Sequence, residues 1–171
     1  MSRWLSIPIL AAAVLLQATF VPQVRILGGG PDLVFLFVLA WSVHAPLDTC
    51  VVWAFVGGIM QDLLSAAPTG ASVPGLVLLV FGMHQLKRQV YDISLVMLAG
   101  LALAGTLLQQ IMLMIVLALS GFTVYPAENF SYIVVPTMAY NLVAIWPIYW
   151  FVRRIQKRYT RDGRVFVTRD A

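Results

Sequence analysis

The chain has 171 residues, 61% hydrophobic and 11% charged, against the roughly 25% charged residues of a soluble domain; a water-soluble globule is excluded and an all-α integral membrane protein is expected. One domain is the default at this length, and no polar stretch is long enough to form a separate catalytic unit. The net charge of +4 rests on few residues, so their positions carry the information.

Six apolar segments are read in chain order at 4–21, 33–45, 49–64, 73–86, 93–119 and 132–152, making a transmembrane domain over 1–152, with a basic cytoplasmic tail at 153–171. The first ends in PQVRILGGGPD, which lacks a small-residue cleavage pattern, so it is expected to be a retained span and not a signal peptide. In GGGPDL, residues 28–33, Pro31 suits the first turn of a helix and Asp32 suits its positive N-terminal end. The second segment therefore starts there.

A perpendicular span needs about 20 residues, and the second, third and fourth segments are shorter. The pair flanking Pro46, Leu47 and Asp48 is either two thin-membrane spans or a re-entrant hairpin whose tip is covered by protein. Single Cys50 reads as a small packing residue.

The third segment ends in GGIMQDLLSAAPTG, residues 57–70. Gly57 and Gly58 remove side-chain bulk and admit another helix or a loop. Asp62 falls near the helix C-terminus, where the dipole opposes a negative charge. Arg25, free backbone amides or a basic group of a partner is expected to meet it, with plain interfacial hydration as the alternative. Ser65, Pro68 and Gly70 predict a non-helical connection after it.

Uncharged polar residues lie deep in the remaining hydrophobic segments: Gln17 in the first, Gln109 and Gln110 in the fifth, Thr137 and Asn141 in the sixth. Amides in hydrocarbon seek partners on neighbouring helices, so these are expected to join helices or to meet another protein's span. Gly100 and Ala104 add a small-residue step on the fifth segment.

Lysine and arginine placement predicts orientation. With the N-terminus inside and six crossings, Arg3, Lys87, Arg88 and the seven tail residues from Arg153 to Arg169 lie in the cytoplasm, leaving Arg25 outside. Trp4, Trp41, Trp53, Trp146 and Trp150 then fall near cytoplasmic helix ends, at the level indole rings favour, while Phe122, Tyr125, Phe130 and Tyr132 flank the outer fifth loop. The tail is expected to continue the last helix against anionic lipid headgroups; nucleic acid is not an expected partner.

Chemistry inside a membrane needs a nucleophile with its base, or ligands at metal-binding spacing. His44 and His84 stand alone, and Asp32, Asp48, Asp62, Asp92 and Glu128 all fall at segment boundaries, not at mid-depth. An ion-coupled pump would place charge at the bilayer centre. No catalytic, cofactor or metal site is expected, and no internal repeat suggests transporter halves.

PDLVFLFVLAW at 31–41 followed by WAFVGGIMQDLLSAAPTGAS at 53–72 resembles the bacterial rod shape-determining MreD family. The resemblance points to Pro31, Asp32, Gly57, Gly58, Asp62, Pro68 and Gly70 as a partner-binding or structural motif. It implies a non-enzymatic subunit of the cell-elongation machinery in the cytoplasmic membrane. The implied partners are a bitopic MreC-like protein and, through it, MreB, RodA and a class B penicillin-binding protein. It further implies a six-helix bundle similar to the substrate-binding subunits of energy-coupling-factor vitamin transporters, with the Asp62 and GGGPD loops lining an outward concavity. The rival reading is such a transport subunit itself. It would carry Ala-x-x-x-Ala contacts on its first helix, and IPILAAAVLLQATF has no such pair.

Overall fold

The structure, a computed structural model, describes residues 6–25, 28–89, 94–123, 125, 128 and 130–165, with side chains from Pro8 to Ile155 within those ranges. Arg3, residues 4 and 5 of the first expected span, Asp92, Ile93 of the fifth and 166–171 of the tail lie outside the described residues. Six helices and no strand are found among the described residues: α1 (Ser6–Val24), α2 (Leu33–Ser42), α3 (Leu47–Leu63), α4 (Val73–Gln89), α5 (Leu95–Leu119) and α6 (Val135–Val165). A π-helical turn at Phe130–Val134 leads into α6. Two stretches, Leu95–Leu119 and Phe130–Ile155, are long and apolar enough to cross a bilayer, while Pro8–Val24 and Leu33–Ser42 are shorter apolar helices.

The shortest helix holds the centre. LVFLFVLAWS is apolar all round, the pattern of a helix buried on every side, and eight of the ten residues of α2 are buried. It packs against α1, α3, α4, α5 and α6. Phe35, Leu36 and Leu39 of α2 meet Leu10 and Val14 of α1, Trp53 of α3, Leu76 and Met83 of α4, Leu98 of α5 and Ile145 of α6 in one core. At 1.5 Å per residue α2 is only about 15 Å long, half the hydrocarbon thickness of a bilayer.

Several boundaries differ from the sequence expectations, each for a local reason. Segment 33–45 stops being helical at Ser42, and α3 begins at Leu47 with extended Pro46 at its N-cap (φ −70°, ψ 155°). Asp48 thus sits inside the first turn of α3, where the dipole favours a carboxylate, and not in the connection. Residues 87–89 continue α4, so Lys87 and Arg88 occupy its last turn, the complementary placement for cations. Lys87 Nζ donates 3.1 Å to the carbonyl of Ala45 and ties that end of α4 to the α2–α3 connection. Ser94 caps α5, its hydroxyl accepting from the Met97 amide at 3.2 Å. α6 passes through position 153 without a break and ends at Val165.

The four tryptophans among the described residues divide into two pairs. Trp41 and Trp53 face each other and not the lipid headgroups: they are 3% and 2% exposed and stack, centroids 4.2 Å apart at 15°. Trp53 lies two turns into α3 on the face that meets α2, so pairing with Trp41 removes both rings from the surface. Trp146 and Trp150 are exposed, and the Arg154 guanidinium lies 5.2 Å from the Trp150 ring, a cation–π distance.

Trp53→Ala is expected to cost about 3–5 kcal/mol, as for a large buried aromatic. Trp146→Ala is expected to stay within about 0.5 kcal/mol, because its ring packs outside the core. Denaturation of the purified protein in micelles, followed by near-ultraviolet circular dichroism, separates the two.

Candidate functional site

The sequence motif folds into two adjacent polar knots at one end of the bundle. The first is built on Asp32. It caps α2 with φ −96° and ψ 88°, its carboxylate accepting from the Phe35 amide at 3.1 Å. Both oxygens also accept from Gln61 Nε2 on α3, each at 3.3 Å. The first helical amides need partners wherever water is excluded. Neighbouring helices supply them: the Asp32 amide donates to Asn141 Oδ1 on α6 at 2.9 Å, and the Val34 amide to Gln17 Oε1 on α1 at 3.0 Å.

The network extends inward. Asn141 Nδ2 donates to Thr106 Oγ1 on α5 at 2.9 Å, and that hydroxyl donates to the Ala102 carbonyl at 2.6 Å. The Tyr140 hydroxyl donates to the carbonyl of Val24 at the end of α1. The short central helix is therefore held at its N-terminus by side chains of α1, α3 and α6.

Asp62 builds the second knot. It is 2% exposed, so interfacial hydration does not meet its charge. Oδ2 accepts from the amides of Gly70 at 2.8 Å and Ser72 at 3.1 Å, and Oδ1 accepts from the Ser72 hydroxyl at 2.6 Å. Of the partners the sequence left open, backbone amides take the carboxylate, joined by a hydroxyl. Arg25 is exposed and makes none of these bonds.

The motif's turn chemistry explains how those amides come to face Asp62. The Ala71 amide donates to the Pro68 carbonyl at 3.0 Å, closing a turn with Gly70 at its third position. Gly70 has φ +94° with open space where a Cβ would stand. Glycine is required there by backbone conformation and not by crowding. Ser65 closes α3, its amide donating to the Asp62 carbonyl at 3.0 Å and its hydroxyl at 3.1 Å. Gly57 and Gly58 act through space instead. A Cβ on Gly57 would meet Val34 Cγ1 at 3.0 Å, and one on Gly58 would meet the Val73 backbone at 3.1 Å, so the start of α4 lies directly on α3.

Among the other residues singled out from sequence, Gln109 Nε2 donates to the Ser72 carbonyl at 3.3 Å, while its Oε1 is buried without a partner. Thr137 is buried, and Gln110 is half-buried with no side-chain hydrogen bond among the described residues. Pro31 lies outside α2, before the Asp32 cap and not in the first turn, because Asp32 takes the N-cap position and the helix begins at Leu33. His44 lies against Tyr149, ring centroids 6.0 Å apart. Gln61, Ser72, Thr106 and Tyr140 join the network without a sequence motif that marks them. Their available signals were position: Gln61 beside Asp62, Ser72 at the start of α4, and Thr106 one turn before Gln110.

A cavity of about 430 Å³ lies beside the knots, lined by Gln61, Leu64, Ser65, Ala66, Ala67 and Ser72 together with residues of α1, Arg25 and Leu113. The Asp62 loop thus lines this concavity, and residues 28–32 are not among the residues that line it. No cluster of three or more His, Cys, Asp or Glu placed to hold a metal ion exists among the described residues.

The family model described as rod shape-determining protein MreD matches residues 1–158. No curated protein and no solved structure matches the chain.

Removing the Asp62 carboxylate strands two amides and a hydroxyl, each unsatisfied group costing about 1–3 kcal/mol. Asp62→Ala is therefore expected to destabilise by about 3 kcal/mol or more and to open the 64–72 connection to protease. Arg25→Ala is expected to leave stability within about 0.5 kcal/mol, as for an exposed site outside the network. Thermal unfolding in detergent with limited proteolysis measures both; equal losses would reinstate Arg25 as the counterion.

Proposed function

This chain belongs to the family of the rod shape-determining protein MreD, and from that premise we propose that it is a non-enzymatic scaffold subunit of the cell-elongation complex. The family is one of shape-determining membrane proteins. In the proposed reading the bundle binds a bitopic MreC-like protein and, through it, helps to position MreB, RodA and a class B penicillin-binding protein during peptidoglycan synthesis. It crosses the cytoplasmic membrane six times with both termini in the cytoplasm, its basic tail lying on anionic headgroups.

One observation carries the reading: five polar side chains of the two knots and their inward extension are engaged in holding the bundle's own backbone, although Gln61 Oε1, Gln109 Oε1 and Trp41 Nε1 are buried without partners among the described residues. Asp62, Asp32, Gln17, Asn141 and Thr106 each take a backbone or neighbouring side-chain partner within the chain. Reactive groups are instead held apart from such uses and near a substrate. What remains for other molecules is surface, including exposed Val143, Trp146 and Trp150 on α6. The wall of the cavity contains no aromatic residue to stack on a vitamin ring, which favours the scaffold over a transport subunit.

Mild-detergent purification of the full chain from its own membrane is expected to recover a bitopic MreC-like protein with cell-wall synthases; recovery of paired ATPases would instead establish the transport reading. In cells, Asp62→Ala is expected to cause rounding while the protein still inserts. Normal rod shape at normal expression would remove Asp62 from the functional motif.

A further inference from the structure

We propose that the cavity between α1, the α3–α4 connection and Leu113 of α5 is a binding site for the phosphate headgroup of an anionic glycerolipid. The inference is independent of which proteins the bundle binds. The cavity's volume, about 430 Å³, lies in the range of small-ligand sites. Of the twelve residues that line it, Arg25 alone is charged; Gln17, Gln61, Ser65 and Ser72 are polar and neutral, and the rest are apolar.

Two carboxylates lie close behind the wall, and their engagement decides the sign of the site. Asp62 is held by Gly70 and Ser72, and Asp32 by Phe35 and Gln61, and neither lines the cavity. The wall therefore presents one free guanidinium, a fork of donors suited to phosphate oxygens. Among the described residues Arg25 has no side-chain hydrogen-bond partner to surrender. Ser65 sits on the same wall, but its hydroxyl is taken up by the Asp62 carbonyl and the Ala67 amide, so Arg25 carries the headgroup contact.

The surroundings select a lipid over a water-soluble ester. Val14, Ala18 and Pro22 form one face of α1 along the cavity, with Leu64 and Leu113 opposite. Beside that face Leu15, Leu16 and Phe20 of α1 are exposed, as are Ile111 and Ile115 of α5. An acyl chain leaving the headgroup passes directly onto apolar helix surface. A soluble phosphate ester gains only the polar part of the site.

Native mass spectrometry of the full-length protein exchanged against defined lipids tests this. Phosphatidylglycerol is expected to be retained about tenfold more strongly than phosphatidylcholine, whose quaternary ammonium offsets the phosphate charge and is repelled by the Arg25 guanidinium. Arg25→Gln should abolish that preference and Arg25→Lys should keep part of it, with unchanged circular dichroism. Arg88→Gln, an exposed cation at the other end of α4, should retain the preference. Equal losses in Arg25→Gln and Arg88→Gln would reduce the effect to bulk charge and overturn the site. Displacement of phosphatidylglycerol by millimolar glycerol 3-phosphate would assign the cavity to a soluble phosphate ester and overturn the lipid; no displacement supports it.

Discussion

A buried carboxylate at the wrong end of a helix is the constraint around which this end of the molecule is organised. Asp62 sits at the C-terminus of α3, where both the helix dipole and the loss of water oppose its charge. Its two oxygens are met by the Gly70 and Ser72 amides and the Ser72 hydroxyl, all within eleven residues of chain. Those donors exist only because the segment from Pro68 to Ala71 makes a turn with Gly70 at positive φ. The turn in turn sets where α4 begins. Gly58 leaves the space in which Val73 can lie on α3, so the charge, the turn and the helix contact form one interdependent unit.

The same logic governs α2, although the geometry is reversed. There the carboxylate of Asp32 stands at the favourable end of a helix and acts as its cap. What needs explaining is how so short a helix survives in the middle of the bundle. Its surface is apolar on all sides, and its first amides are met by Gln17 and Asn141 from two other helices. Gln61 reaches from the turn of α3 that carries Asp62 to the carboxylate of Asp32, so the two knots share an edge. The deep amides thus work as long-range caps, fixing the register of α1 and α6 against α2.

Much of this was legible in the chain, and the failures have physical causes. Pro31 with Asp32 announces a helix start, Pro68 with Gly70 announces a turn, and the double glycine announces a close approach, because each depends on local covalent geometry. The partner of Asp62 was open, since its donors are backbone groups that every residue possesses; the conspicuous cation, Arg25, had no more claim than they did. Position near a helix end does not reveal that Trp41 and Trp53 face each other, because an indole that faces lipid headgroups and one that faces another indole look alike in sequence. Thr106 was passed over for a similar reason: a lone hydroxyl within LAGTLLQ can bond to the helix that carries it, and only the fold brings Asn141 to it. Asp48 falls inside α3 and not before it because Pro46, which by sequence suits the tip of a connection, serves as the N-cap.

A shape-determining membrane protein need not transform anything; it has to hold a surface still. Here Asp32, Asp62, Gln17 and Asn141 are engaged in holding helix ends, and apolar residues of α5 and α6 are left outward. Residue-resolved hydrogen–deuterium exchange on the protein in micelles tests this most directly. If the carboxylate of Asp62 holds the connection, the amides of Gly70 and Ser72 exchange far more slowly than that of exposed Thr69 between them and Pro68. Gly70 and Ser72 exchanging as fast as Thr69 would contradict the account.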